Sequence, residues 1–107
     1  MIGEGNGKLP VFKIDYSIQL ANEIKQILND ARVVGTEQVV KSALETIFRR
    51  LRRDPLAFGE LVREYKHLKL IEHVAVVQPL VVRFGIHADA RLVVISRIRL
   101  LPPGGVD

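Results

Sequence analysis

A chain of 107 residues with 16 Lys and Arg against 12 Asp and Glu carries a formal charge of +4 and has no cysteine. That length suits one domain with one core, and the missing thiols exclude disulfides, thiolate nucleophiles and Cys-ligated zinc. The longest apolar runs, Val74–Val77 and Leu92–Ile95, fall far short of the roughly 20 residues of a membrane-spanning helix, so a soluble protein with no membrane partner is expected.

Residues 1–8 are rich in glycine and lack an apolar stretch behind a basic start, which predicts a flexible N-terminus and a cytoplasmic protein. Gly3, Gly5 and Gly7 alternate, but they precede every predicted strand and so lack the setting of a nucleotide loop. Leu9–Tyr16 reads as a short strand, with Pro10 tolerable only near its start or edge. Ser17 then caps a helix whose core stripe is Leu20, Ala21, Ile24, Ile27, Leu28 and Ala31. After a break at Val34-Gly35, Thr36 is a second cap. Val39, Val40, Ala43, Leu44, Ile47, Phe48 and Leu51 continue at helical spacing. Arg49, Arg50, Arg52 and Arg53 close this helix where its dipole favours cations, and Pro55 stops it. The two helices form an antiparallel hairpin.

From Gly59 the period changes. Leu61–Lys66 matches neither period cleanly, Leu68–Val77 is extended, and Gln78-Pro79 marks a turn. Leu80, Val82, Phe84 and Ile86 then alternate with Val81, Arg83, Gly85 and His87, which predicts a half-buried strand with the first set under the helices. Ala88–Ala90 is the next turn. In the last strand, Arg91–Leu101, the same parity puts Leu92, Val94, Ser96, Ile98 and Leu100 in the core. Arg91, Val93, Ile95, Arg97 and Arg99 fall on the open face. Residues 102–107 read as a flexible tail. The whole predicts an α+β fold, order β-α-α-β-β-β, over residues 9–101: a helical hairpin packed on one face of a mainly antiparallel sheet.

The feature that points to chemistry is Arg83, Arg97 and Arg99 on one open face, with His87 at its edge. Guanidinium groups offer planar forks of permanently charged donors that suit phosphate, although arginines on an open sheet also serve simply to solvate it. Lys69 and His73 share a parity on their own strand and join these arginines as candidates for binding nucleic acid or a protein partner. His73 and His87 are the acid–base candidates. The basic run at residues 49–53 is accounted for by the helix end. His67, His73 and His87 are too scattered for a metal site, and no serine has a nucleophile's setting, so neither metal nor cofactor is expected.

The order of elements, with Asp54-Pro55, Gly59, Pro79–His87 and Arg91–Ile95, resembles the RelE/ParE superfamily of bacterial toxins from about Leu9 to Leu101. The resemblance implies the toxin of a type II toxin–antitoxin pair, restrained by an acidic antitoxin. RelE-like members cut messenger RNA on the ribosome with basic residues of the open sheet face, whereas ParE-like members block DNA gyrase and need no catalytic set. Under the RelE-like reading Arg83 and Arg99 neutralise phosphate charge, and His87 or His73 transfers protons. The family's arginines match Val81 and Leu100 most strictly, beside Arg83 and Arg99, and its C-terminal tyrosine or histidine has no counterpart here. Two readings follow: a toxin acting on translation or on gyrase, and a catalytically inert module of the same fold that binds an acidic protein or nucleic acid. The oligomeric state stays open.

Overall fold

The computed structural model describes residues 11–101. The readings placed on residues 1–10 and 102–107, namely the flexible termini, the alternating glycines and the start of the first strand at Leu9-Pro10, lie outside the described residues. Strand β1 (Lys13–Asp15) precedes helices α1 (Ile18–Val34) and α2 (Glu37–Arg53). A 3-10 turn (Pro55–Ala57), strand β2 (Glu60–Tyr65), a second 3-10 turn (Lys66–Leu68) and strands β3 (Leu70–Val77), β4 (Leu80–His87) and β5 (Leu92–Leu100) follow.

Local chemistry sets the helix ends. Ser17 Oγ accepts from the Leu20 N–H at 3.0 Å, satisfying one orphan donor of the first turn. Gly35 stops α1 in the left-handed region at φ 81°, and the Thr36 N–H closes back on the Ala31 carbonyl at 2.8 Å. Thr36, expected as a side-chain cap, makes no such bond. Its hydroxyl donates instead to the Ala31 carbonyl at 3.5 Å. Arg32 pairs with Glu37 across the hairpin turn, Lys41 pairs with it one turn along α2, and the hydrogen bond from Arg32 holds the Glu37 carboxyl below its ordinary value.

The two helices lie on one face of a five-stranded mixed sheet, ordered β1-β5-β4-β3-β2. β1 runs parallel to β5 and the other pairings are antiparallel, which is the expected two-layer α+β arrangement. Leu20 and Ala31 of α1, with Val40, Ala43, Ile47 and Leu51 of α2, pack on Leu80, Val82, Phe84 and Ile86 of β4 and on Val93, Ile95 and Ile98 of β5. Each large side chain among them stabilises the fold by about 1.5–3 kcal/mol on leaving water. No helix among the described residues is long and apolar enough to cross a membrane.

Two expectations need correction. The order has one more strand than β-α-α-β-β-β: the aperiodic segment after Gly59 is β2, an edge strand whose residues are exposed or half-buried throughout, so burial imposed no alternation on it. The parity of the last strand also breaks midway. Arg83 pairs with Arg97 while Phe84 pairs with Ile95, leaving Ser96 as the extra residue of a β-bulge. Val93 and Ile95 therefore enter the core, and Ser96 is exposed, with its hydroxyl donating to the Arg83 carbonyl at 3.1 Å. Beyond the bulge the expected parity resumes, with Ile98 buried and Arg97 and Arg99 exposed, although Leu100, expected in the core, is 42% exposed at the strand end.

Candidate functional site

Cross-strand register arranges the face turned away from the helices in rows. One row holds Tyr65, Leu70, His87 and Leu92; the next holds Arg63, Glu72, Gly85 and Val94; the third holds Glu60, Val74, Arg83 and Arg97; the fourth holds Val76, Val81 and Arg99. Successive rows are two residues apart along β3 and β4, or about 7 Å. The bulge is what aligns this face, because without Ser96 as an extra residue the core positions of the first half of β5 would put Arg97 and Arg99 among the helices.

Arg83 and Arg97 are thus direct cross-strand neighbours, with Arg99 one row further along β5. Arg83 Nη1 donates to Glu72 Oε2 at 3.1 Å, the carboxylate being the better shielded partner at 19% side-chain exposure against 47%. Among the described residues Arg97 and Arg99 have no ion-pair partner. The cluster of three arginines over two adjacent rows is the feature that the sequence predicted and the fold assembles.

The other candidates do not join it. His87 does lie on the open face, but opposite Leu92 at the far end of β4. It is four residues from Arg83, about 13 Å at the rise of a strand, and further still from Arg99. His73 belongs to the core: it is 6% exposed, pairs across the ladder with Phe84 and donates from Nδ1 to the Phe58 carbonyl at 2.8 Å. Phe84 must face the helices, and His73 shares its side of the sheet. Lys69 precedes β3 in the left-handed region at φ 52°, so strand parity does not govern it, and its Nζ lies 3.4 Å from Asp89. In the basic run, Arg50 is held by Asp54 at 2.9 Å and stacks over the Phe58 ring at 4.8 Å, a structural role at the helix end.

Sequence reasoning missed a cleft of about 340 Å³ on the open face, floored by Gly85 and walled by Tyr65, Leu70, Glu72, His87 and Val94. The available signal was Gly85 itself, the one residue without a side chain among the outward positions of β4. Among the described residues no group of three or more His, Asp or Glu side chains could hold a metal ion. No protein-family model, curated protein or solved structure matches the chain.

Proposed function

We propose that this chain is a RelE/ParE-like, toxin-type protein that acts by binding nucleic acid through its open sheet face, with an acidic antitoxin as its restraining partner. The observation that carries the reading is the opposition of Arg83 and Arg97. Like charges placed directly opposite one another on a sheet destabilise it, and Glu72 offsets only one of the pair. A phosphate backbone laid along β4 and β5 relieves the repulsion and takes up the donor forks of Arg83, Arg97 and Arg99.

Between cleavage of nucleic acid and binding alone, binding alone fits this geometry best. A phosphate held between Arg83 and Arg97 has no histidine beside it, since His87 stands about 13 Å along the strand, and the neighbouring Glu72 carboxylate is engaged by Arg83. Arg83, Arg97 and Arg99 are accordingly phosphate contacts, and the inhibitory effect comes from occupying RNA or its assembly.

The test is bacterial growth after controlled induction of the protein, beside a variant with all three arginines changed to Ala and matched for folded, soluble level. Arrest by the wild type alone supports the reading. Normal growth with abundant folded wild type removes the toxin part of it, and the basic face then reads as an inert binding module if the protein still binds RNA in vitro.

A further inference from the structure

We infer that the cleft over Gly85 is a base pocket that selects guanine in single-stranded RNA whose backbone runs over the arginines; the inference rests on the nucleic-acid-binding reading above. The cleft abuts the Arg83–Arg97 row, one row of about 7 Å along the strands. A nucleotide with its base over Gly85 therefore has a neighbouring phosphate within reach of Arg83 and Arg97, and the next can meet Arg99.

The walls suit a base. Leu70 and Val94 give apolar surface, while Tyr65 and His87 bring ring side chains for stacking. Leu70 leans over Gly85: a Cβ there would lie 2.9 Å from Leu70 Cδ1, so a side chain at this position would push Leu70 aside and crowd the cleft. Beside the polar groups of Tyr65, His87 and Ser96, the wall carries the Glu72 carboxylate. It accepts from Arg83 through Oε2, and its remaining lone pairs have no other hydrogen bond among the described residues. A carboxylate only accepts, so it complements the adjacent N1–H and N2–H₂ donors of guanine. Adenine offers an acceptor at N1 and uracil flanks its single N–H with carbonyls, and both are disfavoured.

The experiment measures fluorescence anisotropy of three labelled heptaribonucleotides, all uridine or with a central guanosine or adenosine, against the wild-type protein. The guanosine oligomer is expected to bind about tenfold more tightly than the other two, the discrimination of one good bidentate contact. Glu72→Gln should abolish that preference while leaving affinity for the uridine oligomer equal or higher, because Arg83 is released to the phosphates. Gly85→Leu should also erase the preference by filling the cleft. If that variant loses its thermal unfolding transition, Glu72→Gln alone carries the test. Equal affinity of the wild type for all three oligomers overturns the base pocket and leaves the arginine face standing. No binding to any of them overturns both. Guanosine monophosphate that displaces the guanosine oligomer as potently as unlabelled oligomer does would overturn RNA as the ligand in favour of a free nucleotide.

Discussion

Arg97 stands directly across the β4–β5 ladder from Arg83, and the Glu72 carboxylate at 3.1 Å serves Arg83 alone. Replacing Arg97 with Ala removes a like-charge neighbour without opening a cavity, since the side chain is exposed. Arg97→Ala should leave the protein as stable or up to about 0.5 kcal/mol more stable at low ionic strength. The gain should fade as salt rises and the screening length falls to about 3 Å near 1 M. Urea unfolding at two salt concentrations measures this. A loss of stability that is independent of salt would show that Arg97 packs rather than repels.

If the open face binds RNA as proposed, the same three arginines should set the salt dependence of that binding. Each phosphate neutralised on a single strand contributes a slope of about −0.7 to the logarithm of affinity against the logarithm of salt, so three contacts give about −2. Changing Arg83, Arg97 and Arg99 together to Ala should flatten that slope nearly to zero, whereas Lys69→Ala should leave it unaltered, because Lys69 lies off the ladder beside Asp89. An unaltered slope in the triple variant would place the phosphate contacts elsewhere.

The helical hairpin, the β3–β4 hairpin and the outward Arg83 were legible because each rests on a local period or a cap: Ser17, Gly35 and the alternation from Leu80 to His87. What was not legible depended on pairing. The Ser96 bulge is a relation between two strands, and neither strand's own pattern marks it: Leu92–Ile95 is uniformly apolar and so permits either face. His73 was assigned by its parity with Lys69, but Lys69 is not in the strand, and the partner that fixes His73 is Phe84 on the next one. The cleft was hidden for a similar reason, being formed by side chains from β2, β3, β4 and β5 around a missing one at Gly85.

As a core residue, His73 should govern stability and not binding. Its Nδ1–H satisfies the Phe58 carbonyl, and its ring lies 5.7 Å from that of Phe84. His73→Ala leaves the carbonyl without this partner and opens a cavity, a combined cost of about 2–4 kcal/mol. Urea unfolding should show this loss, while RNA affinity of the folded fraction stays at the wild-type level. A variant of full stability with lost binding would return His73 to the functional face.

Gly59 and Gly35 separate backbone strain from crowding. Both adopt positive φ, 77° and 81°, so an L side chain at either costs about 1 kcal/mol or more through the left-handed conformation alone. At Gly35 a Cβ would meet nothing within 4 Å, and Gly35→Ala should cost about that much. At Gly59 the Cβ would fall onto the Val74 carbonyl oxygen and within 2.8 Å of the Ala75 Cβ. Neither is the end of a flexible side chain, so β3 would have to shift against the Phe58–His73 contact that anchors it. Gly59→Ala should therefore destabilise by at least about 2 kcal/mol more than Gly35→Ala. Equal losses in paired urea titrations would mean that the turn before β2 yields without disturbing β3, and that the edge strand is held more loosely than its register with β3 implies.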